Sequence, residues 1–208
     1  MNKIDIGFEV KKILHIADVH VRNYQRHKEY KKVFKQLYKA VEALPKESLV
    51  YIAGDIAHNK IDMSPELVQV ISEFLRNLAD RRPTIFIKGN HDLNLNNESR
   101  MDALTPIYKN LNHPNLYYLD STDIFVIGGI NFSVFDIADK VENYIPAKDI
   151  QSDLPKVALF HGAINSSTTD AGFKVSNSNL PISIFDGYDL ALLGDIHKKQ
   201  FLNKEKTI

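Results

Sequence analysis

The chain contains the stretch TIFIKGNHD at residues 84–92, in which an aliphatic run passes directly into polar residues. Residues 84–88 have the length and the β-branched and aromatic content of a short buried strand. Asn90, His91 and Asp92 then follow where that strand ends. Ligands of α/β proteins bind beyond the carboxyl ends of the strands, where distant loops converge. The stretch therefore predicts an α/β fold with a polar site at one edge of its sheet.

Four other aliphatic runs end in the same way. They span residues 13–17, 49–53, 157–160 and 190–193, and we interpret each as a short buried strand. The polar clusters that follow them are DVH at 18–20, GDIAH at 54–58, HG at 161–162 and GDIH at 194–197. Five clusters in register with five predicted strands indicate one composite site.

The clusters supply carboxylate, amide and imidazole groups that bind metal ions. The seven candidate ligands are Asp18, His20, Asp55, Asn90, His161, Asp195 and His197. Imidazole and oxygen donors without thiolates suit Mn, Fe or Zn. Seven groups are too many for one tetrahedral ion and suit two ions that share a carboxylate.

Spacing within the clusters supports this interpretation. Residues two apart on an extended segment project to the same side, so Asp18 with His20, and Asp195 with His197, are each expected to approach a shared centre. We also expect the glycines at 54, 89 and 194 to permit sharp turns off the strands beside a bound ion.

The ordered clusters resemble the motifs of the calcineurin-like metallophosphoesterases, which run D-x-H, G-D, G-N-H-D, H and G-H-x-H. Within that superfamily the chain is most similar to the nuclease subunit of SbcCD-type and bacteriophage recombination exonucleases. The similarity rests on ADVHVRN at 17–23, on His58 three residues after Asp55, and on LGDIHKKQ at 193–200. With the β-rich stretch at 115–136, which we interpret as a second sheet, it implies a two-sheet α/β/β/α sandwich.

The resemblance implies a role for each matched ligand. The first metal would be held by Asp18, His20 and His197, the second by Asn90, His161 and Asp195, with Asp55 bridging them. Asp195 departs from the pattern, because the superfamily usually has histidine there. A carboxylate at that position favours Mn or Mg over Zn.

The resemblance also implies two catalytic histidines that are not ligands. His91 would lie beside the scissile phosphate and protonate or stabilise the leaving oxygen, and His58 would orient the phosphodiester. The reaction implied is hydrolysis of a phosphodiester by a hydroxide that bridges two divalent ions, with Mn expected and Mg, Fe or Zn as alternatives.

The function that follows is a Mn-dependent DNA exo- and endonuclease of recombination and repair. Two alternatives stay open at this point. One is another metallophosphoesterase, either a phosphatase or a cyclic-nucleotide phosphodiesterase, and the other is a degenerate interaction scaffold without catalysis. Fold and metals alone do not separate them.

Contacts with DNA depend on local charge, because the formal net charge is zero. Residues 22–39 contain seven lysines and arginines against the single acid Glu29. Arg22 and Arg26 lie nearest the first metal motif, and we expect them to meet phosphates. The lysines that follow fall on a helix predicted at 27–43, where a merely solvated face is the alternative.

Two more helices are predicted. One is capped by Ser64, begins at Pro65 and ends near Asp80, and the other spans 99–110. Residues 200–203 are predicted to begin a strand. The whole chain, 1–208, is expected to form one metallophosphoesterase (nuclease) domain, and the resemblance implies a capping domain and ATPase-binding helices beyond it.

The same resemblance implies partners. They are DNA, an ATPase subunit of the SbcC/Rad50 type, and a second copy of the chain packed through the helices at 64–80 and 99–110. The sequence has no run of 18 apolar residues and no signal-peptide core, so we expect no membrane span and a cytoplasmic location, in a host cell if the gene is carried by a phage.

Overall fold

The computed structural model describes residues 1–95, 97, 100–165, 167–169, 171–175 and 180–208. The strands are β1 (Asn2–Ile4), β2 (Lys12–Ile16), β3 (Ser48–Ala53), β4 (Thr84–Ile87), β5 (Leu116–Tyr118), β6 (Asp123–Ile127), β7 (Ile130–Phe135), β8 (Lys156–His161) and β9 (Leu190–Gly194). The α-helices are α1 (His27–Glu42), α2 (Pro65–Ala79) and α3 (Leu104–Leu111). Short 3₁₀ segments lie at Val141–Asn143, Ala147–Asp149 and Ile182–Phe185.

The strands form two sheets. The first has the order β2-β3-β4-β5, and all of its pairs are parallel. The second has the order β1-β6-β7-β8-β9, in which β6 and β7 pair antiparallel and the other neighbours pair parallel.

The alternation of side chains along β3 shows how the layers pack. Leu49 and Tyr51 belong to the core between the sheets, together with Phe132 and Leu159 of the second sheet, while Val50 and Ile52 belong to the core beneath the helices. Successive residues of a strand point to opposite faces, so one wholly buried strand serves both cores. The predicted α/β/β/α sandwich is confirmed.

All five aliphatic runs form strands, but two of them are less buried than predicted. β2 and β9 each have several partly buried residues, and β2 also exposes two. Both lie at the edge of a sheet, where one side of the strand lacks a neighbour. A run of apolar residues identifies a strand without revealing whether it is central.

The interpretation of residues 115–136 as the second sheet is correct for β6 and β7 and wrong for β5. β5 pairs with β4 in the first sheet, and β1, β8 and β9 join β6 and β7 in the second. Local periodicity indicates a strand but does not choose its partner. The polar clusters that follow β8 and β9 therefore reach the site from a different sheet than those that follow β2, β3 and β4.

Two of the three helix predictions agree with the structure, and the third was wrong at its start. α3 begins at Leu104, because Asp102 Oδ1 accepts the backbone N–H groups of Leu104 and Thr105 at 2.8 Å. The predicted start, residue 99, lies outside the described residues.

The predicted strand at 200–203 is also absent. Residues 202–206 form bends and turns, after which the chain returns to the edge of β9, where Ala191 N donates to Thr207 O. Further domains beyond residue 208 stay a prediction. Across the described ranges, no helix has the length and apolar content that crossing a membrane requires.

We predict that Ser64→Ala destabilises the protein by about 1 kcal/mol. Ser64 Oγ accepts Leu67 N–H at 3.2 Å at the start of α2 and donates to Asn23 Oδ1 at 2.5 Å. The change removes both bonds, and urea denaturation measures the loss. Gln69→Ala, on the exposed side of the same helix, is the control and should change the unfolding free energy by less than about 0.5 kcal/mol. Equal losses in the two variants would refute the capping role.

Candidate metal centre

The structure brings all seven predicted ligands to the edge where the carboxyl ends of both sheets meet. Asp18 and His20 follow β2, Asp55 follows β3 and Asn90 follows β4 in the first sheet. His161 ends β8, and Asp195 and His197 follow β9 in the second sheet. The parallel direction of these strands delivers every polar cluster to the same side.

Asp55 lies at the middle of this arrangement. Its side chain is 1% exposed, and Oδ1 accepts the backbone N–H of His91 at 2.8 Å. Oδ2 is buried without a hydrogen bond, 3.5 Å from His20 Nε2 and 3.3 Å from His161 Nε2. An unsatisfied buried carboxylate oxygen is costly unless a cation compensates it. Asp55 therefore faces one imidazole of each predicted metal set, as a bridging ligand would.

The three residues of the first predicted set lie close together. Ligand atoms of Asp18, His20 and His197 are within 4.8 Å of one another, and the Nε2 atoms of the two histidines are 3.0 Å apart. Burial lowers the pKa of His20 to about 4 against the raising effect of the Asp55 carboxylate, and the neighbouring imidazoles of His91 and His197 add to the lowering. The imidazole is therefore neutral at physiological pH, which is the form that binds metals.

His161 orients the second predicted set. Its Nδ1 donates to the backbone oxygen of Ala53 at 2.6 Å, which leaves Nε2 for a metal. Nε2 lies 2.9 Å from Asn90 Oδ1 and 3.9 Å from Asp195 Oδ1. The donor set of imidazole, amide and carboxylate fits a divalent cation without any thiolate.

Electrostatics support a cationic occupant. Burial disfavours protonated His161, but the carboxylate of Asp55 and the Ala53 hydrogen bond prevail and raise its pKa to about 9. Burial also raises the pKa of Asp195, and the carboxylates of Asp55 and Asp18 raise it further. Without metal ions His161 thus retains a proton at neutral pH beside these carboxylates, and a divalent cation would replace it.

The backbone of the motifs differs from the extended segments that the spacing argument assumed. Five predicted ligands have positive φ angles: Asp18 (55°), His20 (48°), Asp55 (51°), Asp195 (88°) and His197 (51°). This left-handed region is uncommon for residues other than glycine, although Asp and His are enriched in it. Tight left-handed turns, and not strand alternation, direct these side chains toward one another.

All three motif glycines, at 54, 89 and 194, are required for space. A Cβ at Gly194 would overlap the backbone oxygen of Ala53 and lie 2.7 Å from His161 Nδ1, and a Cβ at Gly89 would overlap Asp55 Oδ1. The expected sharp turn with positive φ occurs at Gly54 (78°). A Cβ at Gly54 would also lie 2.6 Å from His161 Nδ1 and 2.8 Å from Gly89 N, so close approach between the loops, which the sequence does not show, applies to all three glycines.

Asp92 is a residue whose importance the sequence argument missed. It is fully buried, and its carboxylate accepts N–H bonds from Gly89 and Ala57 at 2.9 Å and from Ile56 at 3.3 Å. Burial raises its pKa to about 7 against the lowering effect of these bonds. Asp92 therefore ties the loop that carries Asp55 to the loop that carries Asn90. The sequence did show that Asp92 ends the polar cluster at 89–92. Its carboxylate was the one in that cluster to which no role had been assigned.

The two predicted catalytic histidines lie beside the first metal set. The ring centroids of His91 and His58 are 4.7 Å and 5.4 Å from that of His20, and the two rings stack at 5.5 Å. His91 Nδ1 donates to the backbone oxygen of His58 at 2.7 Å. A nitrogen of each of the three rings lies within 4.8 Å of the others, so this group could also hold a cation.

The two predicted phosphate-binding arginines differ. Arg22 is exposed and lies close enough to His58 to add to the lowering of its pKa that burial causes. Arg26 is also exposed, but its guanidinium binds Glu29 at 2.5 and 2.7 Å, which offsets its charge. Arg22 is therefore the better placed of the two for a phosphate.

We predict that Asp92→Asn lowers the free energy of unfolding by about 1–3 kcal/mol at about pH 8. An amide group offers one acceptor atom where the carboxylate offers two, so at least one buried backbone N–H loses its partner. Chemical denaturation measures the change. Asp120→Asn, an exposed residue, is the control, and a loss no larger than its loss would contradict the role assigned to Asp92.

We predict that metal affinity weakens as the pH falls. A divalent ion that binds His161 Nε2 must displace a proton from a group whose pKa is about 9. The apparent affinity for Mn should therefore drop about tenfold for each unit of pH below that value. Calorimetric titration at about pH 6 and pH 8 tests this, with two buffers of different protonation enthalpy to count released protons. Equal affinity at the two pH values would contradict it.

A protein family, a viral protein and a solved structure are similar to this chain. Residues 11–199 match the family Calcineurin-like phosphoesterase. An uncharacterized protein of Acanthamoeba polyphaga mimivirus, R555, is 40% identical over 214 residues, which cover 98% of this chain and 16% of that protein. The chain thus spans about a sixth of the length of this curated relative. The crystal structure of the Pseudomonas putida nuclease MPE aligns with 79% of this chain and 67% of its own, at 14% identity and a TM-score of 0.39.

The family match covers most of the chain and every motif residue from Asp18 to His197. The predictions of a metallophosphoesterase and of a metal-dependent phosphoester hydrolase are confirmed. The chain belongs to the calcineurin-like phosphoesterase family, which uses divalent metal ions to hydrolyse phosphoesters.

Proposed function

We propose that this chain is a Mn-dependent nuclease domain that hydrolyses DNA phosphodiesters, as an exo- and endonuclease of recombination and repair. The observation that carries the proposal is the stacked pair His58 and His91 beside the predicted ligand His20, with the exposed Arg22 next to His58. A diester substrate needs positioning of the phosphate and a proton for a poor leaving oxygen. These side chains can supply both.

His91 is suited to exchange a proton. Its Nδ1–H is fixed on the backbone oxygen of His58, which leaves Nε2 as the atom that can carry the transferred proton. Its backbone N–H holds Asp55 Oδ1, so the same residue fixes the bridging carboxylate. General acid catalysis by such a group contributes about 10²–10⁴-fold to a rate.

Two divalent ions held by the predicted ligands would lower the pKa of water and neutralise charge on the phosphate oxygens. The chain's own residues do the rest. Asp55 keeps one oxygen directed at both ligand sets, His161 is held in the required tautomer by Ala53, and the Arg22 guanidinium is available to a phosphate oxygen.

An open site favours a polymeric substrate over a small one. His197, Arg22 and the neighbouring Lys198 and Lys199 are exposed, so the metal centre borders solvent. A half-open cavity of about 700 Å³, lined by residues that include Asp18, His197 and Lys198, adjoins the centre and is large enough for a small ligand as well. The exposed cations beside the open centre favour a long polyanion, which supports the nuclease over a phosphatase or a cyclic-nucleotide phosphodiesterase. The number of preserved ligands argues against a degenerate scaffold.

The proposal extends to partners by the resemblance to SbcCD-type nucleases. They are DNA as substrate, an SbcC/Rad50-type ATPase subunit, and a second copy of the chain through α2 and α3. A cytoplasmic location, in a host cell if the gene is carried by a phage, is part of the same proposal. Size-exclusion chromatography with light scattering tests the dimer independently of activity.

We predict that His91→Asn lowers Mn-dependent DNA cleavage about 10²–10⁴-fold while the content of bound Mn stays unchanged. The substrates are circular single-stranded DNA and 3′-labelled duplex DNA, with p-nitrophenyl phosphate as the competing monoester. His113→Ala is the control, since His113 pairs with Asp80 before β5, away from the centre. It should retain activity.

Three results would overturn parts of the proposal. Hydrolysis of the monoester alone would indicate a phosphatase. Loss of Mn from His91→Asn would make His91 a ligand through the group it forms with His20 and His58. Cleavage that persists in His91→Asn would remove the residue from the reaction.

A further inference from the structure

The outer face of α1 carries a row of four lysines, which we name the lysine stripe: Lys28, Lys32, Lys35 and Lys39. Their spacing of four, three and four residues places them on one side of the helix. The buried residues of α1, Phe34 and Val41, lie on the other side against the helical core. All four lysines are exposed.

The stripe leaves its charge uncompensated. Within the described ranges, none of its four ammonium groups forms an ion pair. The acids around α1 are engaged elsewhere, because Glu29 binds Arg26, Glu73 binds Lys31 and Glu42 binds Arg81. Those ion pairs span 2.5 to 3.4 Å. The protein has a net charge of zero, so this face is a local excess of positive charge.

The stripe begins next to the metal centre. α1 follows β2 and precedes β3, and because these strands are parallel the helix must start at the carboxyl edge and run back toward the opposite edge. Two contacts fix its start: Tyr30 Oη donates to His20 O at 2.7 Å, and His27 Nε2 donates to Arg22 O at 2.8 Å. Lys28 is thus near the site, and Lys39 is about 16 Å further along.

We propose that the lysine stripe binds backbone phosphates of a nucleic acid strand whose scissile phosphate occupies the metal centre. The identity of this occupant rests on the proposed function. A row about 16 Å long spans roughly half of a helical turn of B-DNA, which is about 34 Å. Lysine is a flexible point charge without the planar fork of arginine, so the expected contact is insensitive to sequence and sensitive to salt.

A solvated helix face is the competing explanation, and salt dependence separates the two. A lysine that only faces solvent releases no counterions when nucleic acid binds. A lysine that neutralises a phosphate adds about 0.7 to the slope of log K against log salt for single-stranded nucleic acid. Four contacts therefore add about 3.

The experiment compares two variants with equal changes in charge. The first replaces the stripe: Lys28→Gln, Lys32→Gln, Lys35→Gln and Lys39→Gln. The control replaces four exposed lysines outside α1: Lys3→Gln, Lys11→Gln, Lys46→Gln and Lys109→Gln. Lys and Gln have similar helix propensities, so both variants should fold, which circular dichroism checks.

Binding of a fluorescent single-stranded oligonucleotide is measured by anisotropy over a range of KCl concentrations with Mn bound, and for this measurement the parent and both variants also carry His91→Asn so that cleavage of the strand is slow. The stripe variant should lose about 3 from the salt slope and bind more weakly at low salt, and the control variant should retain the slope of the parent protein. Both variants should hydrolyse bis(p-nitrophenyl) phosphate with Mn at the parent rate, because that substrate is too short to reach the stripe.

Equal slopes in the two variants would overturn the proposal. Binding of heparin through the stripe without binding of the oligonucleotide would also overturn it, in favour of another polyanion. If the parent protein cuts no DNA but the stripe variant alone has a reduced slope of log K against log salt, the nuclease proposal fails. The proposal that the stripe binds nucleic acid then still stands. If both variants cut DNA equally and their slopes of log K against log salt are equal, the proposal of a nuclease stands and the proposal that the lysine stripe binds DNA fails.

Discussion

Loops from two separate sheets can share one metal centre only where their backbones approach closely, and the end of β3 is where they do. The backbone oxygen of Ala53 accepts the His161 Nδ1–H from β8 and lies so near residue 194 of β9 that only glycine fits there. Two residues after Ala53, Asp55 directs a carboxylate oxygen without a hydrogen bond at imidazoles from both sheets. If this approach were lost, the two ligand sets would separate.

Holding the loops in this position has an energetic cost. Left-handed φ angles at non-glycine residues cost about 1–3 kcal/mol each, and several predicted ligands adopt them. The buried carboxylate of Asp92 offsets part of that cost by accepting three backbone N–H groups from the two loops around Asp55 and Asn90. Further support comes from the wholly buried β3, whose faces contribute to both hydrophobic cores. The stability of the packed sandwich thus offsets the backbone strain at the site.

Charge connects the site to its surroundings. The centre has an excess of carboxylates, which cations would neutralise. The adjacent surface, from Arg22 along α1, has an excess of exposed cationic side chains, which an anion would neutralise. A phosphodiester chain carries negative charge at every link, so it complements both the metal-loaded centre and the helix face. The ion pairs of Arg26, Lys31 and Arg81 define the part of that surface that is already neutralised.

The sequence by itself determined the strands that carry the motifs, two of the three helices, the fold class and the residues that meet at the site. Short apolar runs, polar clusters and helix caps depend on residues that are close together in the chain. They can therefore be recognised from the sequence alone. Only the tertiary structure decided that β5 belongs to the first sheet, that β8 and β9 bring their motifs from the second, and that Asp92 joins two loops. Strand partners, left-handed turns and close backbone contacts depend on residues far apart in the chain, and no local pattern encodes the distance between them.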